Sequence, residues 1–206
     1  MITHDTQLSK GENTRQAILT VAYDLFLEQG FHATSMRQIA ERAGTAVGGI
    51  YNHFSSKEAI FDVLIVEKHP YRQIIPILQS APGDTIEAFA HHAACSIFTE
   101  LELRPDFLKL IFIEITEFKG SHLPLLSQAV FPLVEPLLER FNLSDKRLRE
   151  IPLPVIVRSF IGVIFSYYIL QYMTGNAGSP VKKSGDDVGQ LVDIFLYGIL
   201  NPQEAA

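Results

Sequence analysis

Thr34-Ser-Met-Arg-Gln-Ile-Ala-Glu-Arg-Ala-Gly44, followed by Thr45-Ala-Val-Gly-Gly-Ile-Tyr-Asn-His-Phe54 and Ser55-Ser-Lys-Glu58, decides how the rest of the chain is read. A short helix begins at Thr34 or Ser35, where Ser35 and Gln38 have capping-box spacing. It turns Ile39, Ala40 and Ala43 inward, and Gly44 ends it. A further short helix is expected over roughly Thr45 to His53. Ser55 and Glu58 repeat the capping-box spacing and open a helix that carries Ile60, Phe61 and Leu64. Upstream, Ile18, Ala22, Leu25 and Phe26 share one face of a helix expected to start near Asn13 or Thr14 and to stop at Gly30. Two short helices around a tight turn form a helix-turn-helix pattern, whose second helix can enter a DNA major groove.

Outward from this stretch, nearly every segment keeps a helical period, so the fold class is all-α. Helices are expected at about 83–102, 105–118, 123–141, 153–173 and 186–200. They are separated by Pro82-Gly83, Arg104-Pro105, Gly120-Ser121, the Asn142 to Pro152 stretch and the Gly175 to Gly185 loop. Two domains follow: 1–58, ordered from about residue 11, and 59–206. Of the 206 residues, 47% are hydrophobic, which excludes a disordered chain and is enough for a sizeable core. The single cysteine, Cys95, excludes an internal disulfide and points to a reducing, cytoplasmic setting. No secretory signal is visible in Met1 to Gly11. Ser159 to Val181 carries no charge, but its apolar part, Phe160 to Met173, falls short of the ~20 residues a bilayer needs. It reads as a buried helix, and no membrane partner is expected.

The formal charge of −6 argues against a nucleic-acid partner. Its distribution softens that objection. There are 5 Lys+Arg against 6 Asp+Glu through Glu58, and 12 against 17 after it. Within Ser35 to Lys57, Arg37, Arg42 and Lys57 face Glu41 alone, which predicts a small, locally positive surface. Gly48 and Gly49 inside a helix cost about 1 kcal/mol each relative to alanine, as expected where a backbone must approach another surface. Lys57 stands at a helix start, where its charge opposes the dipole and calls for an external partner.

Residues 13–65 resemble the DNA-binding domain of the TetR family of one-component transcriptional regulators. The resemblance is carried by Ile39-Ala40, Ala43-Gly44, Gly48, Ile50-Tyr51, His53-Phe54 and Lys57-Glu58. It implies that Thr45, Val47, Gly48, Tyr51, Asn52, His53 and Lys57 approach DNA, with Tyr51, His53 and Lys57 on phosphate. Ser35, Arg37 and Ala46 complete the candidate surface, Arg37 reaching a phosphate from the first helix of the motif. Where many members carry Ser and Lys, this chain has Ala46 and Val47, which removes a hydroxyl and a charge. Val47 either presses on a thymine methyl or packs within the domain. Asn52 either reads adenine or bonds to backbone and water. Tyr51 and His53 either face DNA or pack between helices.

In the C-terminal part, Val188, Leu191, Val192, Phe195, Leu196 and Ile199 form one apolar stripe, and Pro154 to Met173 is apolar nearly all round. Gly162 and Gly198 would let such helices approach closely. The resemblance implies that the last two helices build a four-helix homodimer interface, for which Phe160, Ile164, Leu191, Phe195, Leu196 and Ile199 are the candidates. It also implies a cavity for a small-molecule effector among the middle helices. The candidates there are Phe89, His92, Phe112, Glu114, Arg158 and Tyr167, and the apolar wall favours a lipophilic or amphipathic molecule. Arg158 either meets a ligand anion or pairs with Glu114 or Glu117. His91, His92 and Cys95 lack a further cluster to complete a metal site. Glu114 and Glu117 lack a partnering motif for catalysis, so neither enzyme activity nor a cofactor is expected. The leading expectation is a homodimeric repressor that binds a palindromic double-stranded operator and is released by effector. The alternative, prompted by Ala46 and Val47, is a helical small-molecule-binding protein with a weak or vestigial DNA-binding domain.

Overall fold

Three serines open the N-terminal helices. In the computed structural model, which describes residues 9–80, 85–139, 149–175 and 187–199, Ser9 accepts the amide of Glu12 and Glu12 accepts the amide of Ser9. Helix α1 therefore runs Lys10–Gln29, about a turn earlier than the expected start at Asn13 or Thr14. Thr14 instead donates its hydroxyl to the Lys10 carbonyl from inside the helix. Ser35 and Gln38 form the expected reciprocal cap on α2 (Met36–Arg42). Helix α4 (Lys57–Glu67) is capped by Ser56, which accepts from the Ala59 amide, rather than by Ser55. Helix α3 spans only Val47–Ile50. The amides of His53 and Phe54 still reach the Ile50 carbonyl, so the chain continues as turns where the two glycines weaken the helix. Gly30 and Gly44, at φ +86 and +68, close α1 and α2 in a conformation that side chains oppose.

The remaining helices are α5 (Tyr71–Gln79), α6 (Ile86–Glu102), α7 (Pro105–Glu117), α8 (Leu123–Glu139), α9 (Leu153–Gly175) and α10 (Asp187–Ile199). No strand occurs among the described residues. The fold is all-α. Periodicity alone does not mark α5, because Pro70 precedes it and Pro76 lies within it. The separator Pro82-Gly83, and residues 142–148 and 176–185 of the other two loops, lie outside the described residues.

The chain divides into two units. The first joins the residues up to His69 with Asp106–Ala129, and the second joins Pro70–Pro105 with the residues from Val130 on. In the first, the expected inward residues Ile18, Ala22, Leu25, Phe26, Ile39 and Ala40 are buried together with Ile50, Phe54 and the α4 residues Ile60, Phe61 and Leu64. Leu110, Ile113 and Leu126 from α7 and α8 join the same core. The sequence-drawn boundary at 58/59 falls in the first turn of α4.

In the second unit, α6, α9 and α10 pack on one another. Their buried faces are Ala90, Ala93, Ala94, Ile97 and Leu101 on α6, Ile164 and Tyr168 on α9, and Val192, Leu196 and Ile199 on α10. The small alanine side chains let the helices approach closely. Arg149 closes the end of α10, donating from its guanidinium to the Gly198 carbonyl and from its amide to that of Ile199. One expectation is overturned here. Pro154–Thr174 is long and apolar enough to cross a membrane by length and composition, and only 11% of its apolar window is buried in this single chain. Helix α9 belongs to the core by one face and leaves much of the rest uncovered.

Candidate nucleic-acid interface

The α2–α3 turn is built from backbone bonds and one buried anchor. Gly44 lets the chain reverse, and the Thr45 amide donates back to the Ala40 carbonyl at 3.0 Å. Ile50 is fully buried and fixes the inner side of α3. Helical geometry then turns positions 47, 48, 51 and 52 outward together. Val47 is 41% and Tyr51 53% exposed, while Ala46, Gly48 and Asn52 are exposed and Thr45 and His53 half-buried. Neither Val47 nor Tyr51 is buried in the domain core.

The two glycines serve different ends. A Cβ on Gly49 would stand 3.0 Å from Thr45 Oγ1, so an internal contact requires that glycine. A Cβ on Gly48 would meet nothing within 4 Å, and its bare backbone faces open space. Ala46 supplies no side-chain cap to α3. Donors at a helix start that lack a cap suit a phosphate oxygen or a base edge.

The expected cations behave otherwise than their sequence context suggests. Arg37 pairs with Glu41 at 2.8 Å on the surface of α2. Arg42 makes a two-pronged pair with Glu28 at 2.7 and 2.8 Å. Lys57 donates to the carbonyls of Phe31 and Thr34, both at 2.5 Å, and lies 4.2 Å from the centre of the Phe31 ring. Desolvation lowers its pKa below the ordinary lysine range, against the pull of Glu58 and Glu117. The external partner that Lys57 seemed to require is thus supplied from within, and the locally positive surface is largely paired. Ser35 spends its hydroxyl on Gln38. The sequence reading missed Arg15, whose guanidinium lies 4.9 Å over the Phe54 ring and so beside the end of the α3 segment.

The comparisons fit this geometry. A family model described as bacterial regulatory proteins, tetR family, matches residues 18–64. The HTH-type transcriptional regulator UidR of Escherichia coli (strain K12) is 36% identical in an alignment of 135 positions that covers 58% of this chain and 69% of that protein. The chain belongs to the TetR family. The HTH-type transcriptional regulator AcrR of Shigella flexneri is 28% identical in an alignment of 200 positions that covers 91% of each chain. In fold, the chain matches NalD, the secondary repressor of the MexAB-OprM multidrug efflux pump in Pseudomonas aeruginosa. The TM-score is 0.68 at 21% identity, covering 94% of this chain and 100% of that one.

In this TetR-family regulator the expected effector residues are divided between the two units. Phe112 is exposed and Glu114 buried in the first unit, while Phe89, His92 and Tyr167 are half-buried and Arg158 exposed in the second. Glu114 and Glu117, the carboxylates weighed as partners for Arg158, each have partners within the first unit. Glu114 accepts the His122 amide at 2.9 Å and meets its ring Nδ1 at 2.5 Å, and His122 Nε2 lies 3.0 Å from Asp62. Glu117 binds backbone amides of the α1–α2 turn. His91 reaches Asp193 at 2.9 Å, and no group of three potential metal ligands occurs among the described residues. Tyr167 donates to Asp187 and accepts from Gln171. It borders an apolar crevice of about 10 Å³ between α6, α9 and α10. That is room for one water rather than a ligand cavity.

The dimer candidates divide by burial. Ile164, Leu196 and Ile199 are buried within their own unit. Phe160, Leu191 and Phe195 line the crevice, with the two phenylalanine rings 5.3 Å apart. Of the stripe that the sequence offers for a partner, Val192, Leu196 and Ile199 are buried within the chain and Val188, Leu191 and Phe195 stay half-buried. Exposed apolar side chains remain on both helices: Ile161, Leu170 and Met173 on α9, and Ile194 and Tyr197, at 69% and 76% exposure, on α10. A Cβ on Gly162 or Gly198 would meet nothing within 4 Å.

Proposed function

We propose that this transcriptional regulator is a cytoplasmic homodimeric repressor. It holds a palindromic operator through Thr45 to His53 and is released by a lipophilic or amphipathic small molecule. The observation that carries the reading is the outward surface of Val47, Gly48, Tyr51 and Asn52, held rigid by buried Ile50. Val47 meets a thymine methyl and Asn52 an adenine edge. Tyr51, His53 and the amides of the α3 start take phosphate oxygens, and Arg37 exchanges a weak surface pair for phosphate. Lys57 contributes by holding the α1–α2 turn. Homodimerisation is supported by the exposed apolar side chains of α9 and α10, and two-fold symmetry would set two α3 segments on successive turns of one DNA groove. Ligand release requires that the effector prefer the conformation that does not bind DNA. NalD, repressor of a multidrug efflux pump, is a relative in fold for which a similar division of labour is natural.

The test is selection of duplexes from a randomised library by the full-length protein, followed by anisotropy. Enrichment of a palindrome with saturable, sequence-selective binding is expected. Failure to enrich any sequence would leave the small-molecule-binding alternative. Native mass spectrometry of the purified protein then identifies a retained ligand, which should weaken binding to the selected duplex.

A further inference from the structure

The turn between α1 and α2 is gripped from two sides. The amides of Phe31 and His32 donate to Glu117, at the end of α7, over 3.1 Å to Oε1 and 2.8 Å to Oε2. Successive amides converging on one carboxylate form the cradle by which short turns hold anions, and the bonds are strengthened by the charge. Gly30 makes the approach possible. At φ +86 it carries no Cβ, and one placed there would stand 3.1 Å from Glu117 Oε1. From the other side Lys57 takes the carbonyls of Phe31 and Thr34, while the Phe31 ring is packed on Phe61 and Phe118. Helix α7 is itself fastened to α4, because His122 bridges Glu114 and Asp62.

Water can satisfy turn amides, so the hydrogen-bonding need of the turn alone does not call for Glu117. What Glu117 adds is a fixed distance between α7 and a turn some 85 residues away in sequence. The turn passes directly into Ser35, the cap of α2. Helix α2 sets α3 through the Thr45 amide on the Ala40 carbonyl. We propose that Glu117 is a positioning residue for operator binding: by holding the 31–34 turn, α7 determines where α3 stands. This inference rests on the DNA-binding reading above. The chain that carries Glu117 runs on at both ends into segments of the second unit.

The experiment uses the full-length protein and the duplex selected by the wild type, with a scrambled duplex as control. Glu117→Gln keeps size and removes the charge that both amides share. It should weaken binding to the selected duplex about tenfold, leave binding to the scrambled duplex equal or slightly tighter, and speed hydrogen exchange at the Phe31 and His32 amides. A merely destabilised protein would lose both affinities in proportion to its unfolded fraction. If Glu117→Gln fails to fold, Glu117→Asp retains the charge at shorter reach and should show the same selective loss. Unchanged affinity for the selected duplex, with faster amide exchange, overturns the inference and leaves the DNA-binding reading intact. A wild type that selects no duplex overturns that reading instead.

Discussion

Lys57 Nζ lies within hydrogen-bond distance of two main-chain carbonyls, and burial holds its pKa down. A cation in this position acts on DNA through the turn it braces. Lys57→Met keeps the aliphatic stem and removes both donors, so it should destabilise the protein by about 1–3 kcal/mol in urea titration. The salt dependence of its operator binding should match that of the wild type, whereas a slope shallower by about two units, one for each protomer, would place the ammonium on phosphate. A second residue gives a pH dependence. His69 sits edge-on to Phe107 at 5.1 Å, and burial pushes its pKa down from 6.5 to about 4. Between those values the unfolded chain binds the proton and the native state does not. Stability should therefore fall as pH drops from about 6.5 to about 4, by about 1–3 kcal/mol for this partly enclosed ring, with no contribution above pH 6.5. Urea midpoints across that window should fall more steeply for the wild type than for His69→Phe. Parallel curves would show that the imidazole is already exposed in the native state.

At the scale of the helix, α10 shows that one stripe cannot serve two neighbours. Leu196 is buried against its own unit, while Tyr197, one residue on, is three-quarters exposed. Leu196→Ala should cost about 2–5 kcal/mol of stability and leave a dimer. Tyr197→Lys should leave stability near that of a folded protomer and shift sedimentation toward monomer. A dimeric Tyr197→Lys protein would move the interface elsewhere. The same helix marks what a sequence discloses. Its i, i+3, i+4 apolar pattern identifies the buried face without naming what covers it, so a stripe buried in part within the chain reads equally well as a dimer seam. Caps follow a similar rule. Ser35 and Gln38 are legible because Ser35, unlike Thr34, has a glutamine three residues on, and Ser9-Lys10-Gly11-Glu12 carries an equally good signature that Asn13 and Thr14 obscure. Ser55 and Ser56 compete for one cap, and the bond to Ala59 selects the second. The outward set of α3 was legible because Ile50 leaves the neighbouring positions nowhere else to point. Glu117 was not, since its partners are backbone amides of a distant turn and leave no mark in residue type.

For the whole molecule, the balance of −6 matters through which cations remain available. Arg42 is tied to Glu28 and Lys57 to two carbonyls. Lys68 lies over the Tyr23 ring, and Lys109 pairs with Asp106. Around the N-terminal helices this leaves Lys10, exposed at the start of α1, Arg15 over Phe54, and Arg37 in an exposed pair that is weak in water. If each of these meets one phosphate, a homodimer neutralises about six, and log K should fall with log salt at a slope near −5. The acidic remainder adds no phosphate contact and discourages non-specific binding. Most of the affinity above the non-specific level must then come from amides, Tyr51, Asn52 and Val47, which salt barely screens. Selected-duplex affinity should therefore persist at salt concentrations that abolish binding to a scrambled duplex. Anisotropy titrations from low to moderate salt decide this. A slope near −10 would mean that Arg42 and Lys57 leave their internal partners for DNA, and that the bound N-terminal unit differs from the free one in the very turn that Glu117 holds.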